Sequence, residues 1–318
     1  MIKYLNSPQA VAAIVAAITS LATLLLTLLT KNFIEKKFLS FKLDIEHKFE
    51  ERKKIKSVLA VYKSHLLTSC EDLNNRVGNF SKQDYLKYFK LLDVKGNYTN
   101  PKDYFFHSFI YRILAVYAWM NKIETELIHL DTTIATRNDL EFIKFMRFYR
   151  LIFSETDFFK GHSYGYGNQR DHITKNIFED LYQCVIKDNE IISFNKYLEK
   201  FQEKHHQKQL LPFYQLLDGI NLEENRLRWQ WFQILKILNI VFLNSYGYDY
   251  QQISDEKMLI AINNPQRSKL YDNFIFLLGE YKLNKQKEIE RLIKLLRKKQ
   301  PITKKKIRCG KSIKTYGR

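Results

Sequence analysis

The stretch AVAAIVAAITSLATLLLTLLT, Ala10 to Thr30, decides the architecture, because it runs for 21 residues without a charge. As a helix rising ~1.5 Å per residue it is ~31 Å long, which matches the hydrocarbon core of a bilayer. Pro8 stands just ahead of it, where a missing N–H costs a helix start nothing. A cleaved signal would have a shorter apolar region followed by a small-residue cleavage site, whereas here Lys31, Asn32 and Phe33 follow directly. A buried core helix rarely runs this far without a polar face. The segment therefore reads as an uncleaved transmembrane helix within an N-terminal region, residues 1–30.

The flanking charges give the orientation. Only Lys3 and the amine of Met1 precede the run, while Lys31, Lys36, Lys37 and Lys42 follow it. The positive-inside bias places the C-terminal side in the cytoplasm of a single-pass protein of the plasma (inner) membrane. Asn97-Tyr98-Thr99 matches a glycosylation acceptor, but under this topology it carries no sugar.

Beyond the membrane, residues 31–56 read as a charged juxtamembrane helix. Between Pro8 and Pro101 there is no proline, and the first glycine is Gly78, so nothing in the local code stops the helix. Ile34, Phe38, Phe41, Ile45 and Phe49 step by four or three along a narrow stripe, and the pattern resumes at Ile55, Leu59, Tyr62, Leu66, Leu73 and Val77. The spacing predicts a stalk that merges into the first helix of a bundle. A coiled-coil homodimer through the stripe is one reading and a helix lying on its own domain is the other, since strict heptads are not kept.

Residues 57–281 read as a cytosolic, all-α domain. Gly (10) and Pro (5) are scarce and aromatics abundant, which favours helices with a substantial core over a turn-rich β-protein or a disordered chain. Tyr104 to Leu130 is the most apolar run, and its Tyr117 and Trp119 read as packing residues. Further helices are expected over Asp139–Phe153, Asp171–Ile186, Glu190–Glu203, and Asn221–Asn244, the last apolar around much of its circumference. Ser254 opens a short helix, and Pro265 precedes a single long one from Gln266 to Lys299. No alternating strand runs and no fixed-period repeat stand out.

The chemistry-bearing residues are few. Cys70, Cys184 and Cys309 lie far apart with no C-x-x-C unit, which fits a reducing compartment and gives no metal set. Gly161 to His172 holds three glycines ahead of an expected helix, so its N–H groups could face an anion. The P-loop and dinucleotide spacings are both missing. His162, His172 and Asp171 could serve acid/base or metal chemistry, or the loop is a connection whose Asp171 caps the next helix. His205-His206 reads as a solvated Lys/Gln-rich turn. No stretch carries a catalytic or cofactor signature, and no cofactor is implied.

Tyr62 followed by Leu66-Leu67-Thr68-Ser69-Cys70-Glu71-Asp72-Leu73-Asn74-Asn75-Arg76-Val77-Gly78-Asn79 resembles the opening motif of a set of uncharacterised bacterial single-pass membrane-anchored proteins. Tyr111 to Leu130 and Gly167-Asn168-Gln169-Arg170 are similar to the same set, so the resemblance covers about residues 57–201. Cys70 and Asn75 depart from the small and aliphatic residues expected there. The resemblance implies a shared helical domain with Arg76, Asn79, Gln169 and Arg170 as its polar positions, and no activity. Physically, a buried arginine is most often clamped by a carboxylate or by carbonyls. The functional alternative is an anion pocket made by Arg76 and Arg170 around the glycine loop, with Asn79, His162, Gln169 and His172 as further candidates.

The C-terminal end, 282–318, reads as a basic helix and tail. From Lys282 to Arg318 it carries 15 Lys or Arg against Glu288 and Glu290, a net +13 of the chain's +18, so the body is close to neutral. Ile289, Leu292, Ile293, Leu295 and Leu296 form an apolar side. Arg297, Lys298, Lys299, Lys304, Lys305 and Lys306 are then candidates for anionic lipid headgroups at the leaflet surface, at about 1 kcal/mol each. Nucleic acid rewards the same charge, but no base-reading element accompanies it.

Taken together, these residues lead to an all-α protein with a transmembrane helix, a juxtamembrane helix and a helical bundle. Its expected work is binding, sensing or scaffolding, with the bilayer and a protein partner or second copy as partners. The alternatives are an enzyme acting on a phosphorylated or acidic small molecule through the glycine loop, and a membrane-tethered nucleic-acid binder.

Overall fold

The structure, a computed structural model, describes residues 7–80, 87–93, 95, 104–161, 173–201, 204–220, 227–262 and 269–298. It is helical almost throughout, and the chain divides into two compact units: residues 1–57 with 129–136, and residues 58–128 with 137–318.

Helix α1, Pro8–Phe80, is continuous, as the absence of Pro and Gly before Gly78 predicts. Its first part is long and apolar enough to span a membrane, and none of that window is buried by protein. The threonine hydroxyls in this segment are satisfied without water. Thr19 donates to the Val15 carbonyl at 2.8 Å, and Thr23, Thr27 and Thr30 donate to the carbonyls four residues back at 2.7 Å. Returning the O–H to the helix's own backbone removes the penalty that a free hydroxyl pays in hydrocarbon.

Further along the first unit, Phe33, Ile34, Phe38, Phe41, Ile45 and Phe49 remain exposed, flanked by the i,i+4 pairs Lys31–Glu35, Lys42–Glu46 and Asp44–Lys48. Cover begins at Glu51 and Ile55, where the turn Thr132–Ile134 approaches. Asp131 caps that turn by accepting from Thr133 N at 2.9 Å, and Arg52 Nε donates to the Ile134 carbonyl at 2.6 Å. Lys54 lies 2.6 Å from Glu51 and holds that carboxyl below its ordinary range.

The second unit contains the rest of α1 and ten further helices among the described residues: α2 Tyr104–Leu127, α3 Arg137–Leu151, α4 Lys175–Gln183, α5 Phe194–Lys200, α6 Lys204–Gln209, α7 Leu211–Leu217, α8 Arg228–Tyr246, α9 Asp255–Ile262, α10 Lys269–Glu280 and α11 Lys287–Lys298. The core is built on α2 and α8. Helix α8 is buried around nearly its whole circumference and packs against α3, α9, α10 and α11, while α2 packs against α3, α4 and α5. The all-round apolar reading of Asn221–Asn244 is thereby explained, since neighbours cover every side.

Several polar groups within this core are hydrogen-bonded to backbone or to one another. Arg228 donates to the carbonyls of Leu216 at 2.6 Å and Asp218 at 2.9 Å, satisfying the C-terminal end of α7. Asp218 accepts in turn from the N–H groups of Leu91 and Leu92 at 2.8 and 3.1 Å. Tyr117 donates to the Tyr149 carbonyl at 2.9 Å, and Tyr149 to Asn239 Oδ1 at 2.8 Å. Burial pushes both phenols well above their ordinary range, so they stay protonated donors.

Three sequence expectations need correction. Asp171–Ile186 and Glu190–Glu203 are not two adjoining long helices: α4 and α5 are shorter, and β1 (Ile186–Lys187) pairs antiparallel with β2 (Glu190–Ile191) between them. The two-residue turn is Asp188-Asn189, both with positive φ (52° and 62°), the mirror-image conformation that matches strand twist. His205-His206 belongs to a helix, α6, not to a turn. As expected of packing residues, Tyr117 is in the core and Trp119, half-buried, stacks on His65 at 4.7 Å.

The expected final helix Gln266–Lys299 is two helices, α10 and α11. Lys282, with φ of 55°, takes the left-handed conformation just after α10. Its N–H reaches the Gly279 carbonyl at 2.9 Å and that of Leu283 reaches Leu278 at 3.0 Å, a Schellman closure sealed by the contact positions Leu278 and Leu283, both buried. A lysine pays a steric cost there that glycine avoids. Lys282→Gly is therefore expected to stabilise the fold by about 1 kcal/mol, which thermal denaturation would read as a rise of roughly 2–4 °C.

Candidate functional site

Tyr104, Ser108 and Arg112 recur one helical turn apart on α2, and Arg76 comes from α1. Arg76 Nη2 donates to the Tyr104 hydroxyl at 3.4 Å, and its guanidinium lies over the rings of Tyr104 at 5.4 Å and Phe105 at 5.8 Å. Arg112 Nη1 donates to the Ser108 carbonyl at 2.9 Å and also to Ser108 Oγ. The Tyr104 hydroxyl and Ser108 Oγ are hydrogen-bonded as well. Two guanidiniums thus flank two hydroxyls, in the order Arg76, Tyr104, Ser108, Arg112.

Among the described residues, neither arginine has a carboxylate within ion-pair distance. Asp72, one turn before Arg76, acts on Arg112 only through longer-range attraction. Burial depresses the affinity of Arg112 for its proton, the charge of Arg76 depresses it further, and Asp72 with the two tyrosines partly offsets both. Burial also acts to raise the Tyr104 phenol, yet its bonds to Ser108 and Arg76 and the charge of both arginines leave it below its ordinary value. Such an arrangement offers N–H and O–H donors to an anion. The Tyr88–Phe105 stack (4.4 Å) forms an aromatic shelf beside it.

A concavity of about 230 Å³ opens where α2, α3 and α4 meet. Its floor is Tyr117, Phe178 and Tyr182, and its walls carry Glu124, Arg147, Arg150, Lys175 and Glu179. These charges already answer one another: Glu124 pairs with Arg147 at 3.2 Å and with Arg150, and Glu179 with Arg150 at 3.6 Å and Lys175 at 3.7 Å. An incoming ion would have to break a closed network, so this cleft acts as a latch between helices. Among the described residues no three His, Cys, Asp or Glu come together as a metal set.

Of the candidates read from the sequence, Arg76 lies in the site just described and Asn79 is exposed near the end of α1. Among the described residues, rings and a hydroxyl hold Arg76, and no carboxylate clamp is seen. His162, Gln169, Arg170 and His172 lie outside the described residues. Arg112 was not singled out, although its i−4 and i−8 spacing to Ser108 and Tyr104 was readable. At the basic end, Ile289, Leu292, Ile293 and Leu296 of helix α11 are buried against the fold, and Arg291 is tied to Asp255 at 2.6 Å and Glu288 at 3.0 Å. Arg297 is exposed; Lys299, Lys304, Lys305 and Lys306 and the side chain of Lys298 lie outside the described residues. No protein-family model, curated protein or solved structure matches the chain.

Proposed function

We propose that the chain is a single-pass, membrane-anchored helical binding module whose body faces the cytoplasm of the plasma (inner) membrane. The observation that carries this reading is the segment Ala10–Thr30, uncharged, uncovered by protein and with its threonine hydroxyls internally bonded. Lys31, Lys36, Lys37 and Lys42 on one side of it supply the orientation. Binding is favoured over catalysis because the arginine pair and its hydroxyls grip charge.

Ile128, 72% exposed at the end of α2, provides the test. Ile128→Cys in a Cys309→Ser background is expected to resist a membrane-impermeant maleimide in intact cells and to react after permeabilisation. Cys70 and Cys184 are buried and contribute little background. Full labelling in intact cells would reverse the orientation.

A further inference from the structure

We propose that Arg76, Tyr104, Ser108 and Arg112 seat the phosphate group of a ligand. The inference names the ligand class of the binding reading above and rests on it. Its starting point is a charge imbalance: two guanidiniums each bond one of two adjoining hydroxyls, Arg76 that of Tyr104 and Arg112 that of Ser108, and among the described residues no carboxylate pairs with either.

Elsewhere in the same unit other arginines are paired with carboxylates. Arg147 and Arg150 meet Glu124, and Arg291 meets Asp255 and Glu288. At the Arg76–Arg112 site Asp72 is within electrostatic reach yet makes no contact, so the like-charged pair persists in the folded protein. Holding two cations near each other, one half-buried, opposes folding unless something else is gained.

A terminal phosphate fits what is missing. Its charge at neutral pH approaches −2, matching two guanidiniums, whereas one carboxylate would leave the pair partly unanswered. Each planar guanidinium retains N–H groups beyond those bound to Tyr104 and Ser108, and three phosphate oxygens can accept them in forked pairs. The Tyr88–Phe105 shelf, with Tyr88 37% exposed, would carry the organic part of the ligand. That part belongs either to a soluble phosphate monoester or to a phospholipid headgroup, and the phosphate chemistry is common to both.

The experiment uses the full chain in detergent micelles. Inorganic phosphate, titrated at constant ionic strength against chloride, is expected to raise the melting temperature in a saturable way. Arg76→Gln and Arg112→Gln should each weaken the apparent phosphate affinity by at least about tenfold. Without phosphate, both variants should melt within about 2 °C of the parent or above it, because a lost contact and a relieved repulsion oppose each other. Arg76→Lys keeps the charge and loses the fork, so intermediate affinity is expected and provides a reading should either Gln variant fold poorly.

The source is decided by repeating the phosphate titration in nanodiscs containing phosphatidate. Loss of the phosphate response there assigns a lipid headgroup, and retention assigns a soluble monoester. No response of the parent protein to phosphate in micelles would overturn the proposal. So would Gln variants that melt several degrees lower yet bind phosphate as the parent does, since the pair would then be purely structural. These outcomes are independent of the labelling at residue 128, so either reading can fail without the other.

Discussion

Replacing Leu21 and Leu24 by arginine moves the chain from the membrane pellet to the supernatant in high-speed sedimentation without detergent. Both leucines lie near the middle of the uncharged run and are exposed, at 67% and 61%, so neither substitution disturbs a protein contact. The ten Leu, Ile and Val residues of the run contribute roughly −3 to −6 kcal/mol to insertion, at about −0.3 to −0.6 each. Two central arginines cost roughly 5–7 kcal/mol and forfeit two leucines, which turns insertion unfavourable. The control is Leu21→Ala with Leu24→Ala, which loses only about 1 kcal/mol and should remain in the pellet. A parent chain already found in the supernatant would remove the basis for a membrane-anchored reading altogether.

That first element was legible because its signal is local. An uncharged run of fixed length and an absence of breakers suffice to read α1, and the helical spacing of Phe106, Phe109, Ile110, Ile113 and Leu114 suffices for α2. The features that escaped reading share a different character. The Asp188-Asn189 turn and the Lys282 closure place residues other than glycine at positive φ, where the sequence code offers only a weak cue. One of them creates a hairpin between two expected helices and the other divides a third.

The candidate site was half legible for a related reason. Arg76 stood out as a charge on an otherwise apolar helix, but its companions are selected by packing between α1 and α2, and Tyr104 lies 28 positions away in the chain. Arg170, paired with Arg76 on sequence alone, lies outside the described residues, and among those described Arg112 is an arginine that shares its hydroxyl network. Likewise, the amphipathic pattern of α11 was correctly apolar on one side. Whether lipid or protein covers such a face is a tertiary question, and here protein does.

Trp231→Ala is expected to cost the second unit the largest share of its stability of any single change argued here. The indole is 3% exposed in the first turn of α8, meets Phe153 edge-on at 4.2 Å and Phe232 at 5.1 Å, and donates from Nε1 to the Ile152 carbonyl at 2.6 Å. Truncation to alanine removes about 3–5 kcal/mol of packing and transfer free energy. It also leaves the Ile152 carbonyl unsatisfied in a buried setting, at about 1–3 kcal/mol more. Against a total stability of roughly 5–15 kcal/mol, that loss lowers the melting temperature by roughly 10–20 °C. Trp231→Phe separates the two contributions, because it keeps most of the ring contact with Phe153 and loses only the N–H donor. Its cost should be about 1–2 kcal/mol, well under half that of alanine. Equal destabilisation by the two variants would mean that the bond to Ile152, and not the aromatic packing between α8 and the end of α3, holds this part of the core.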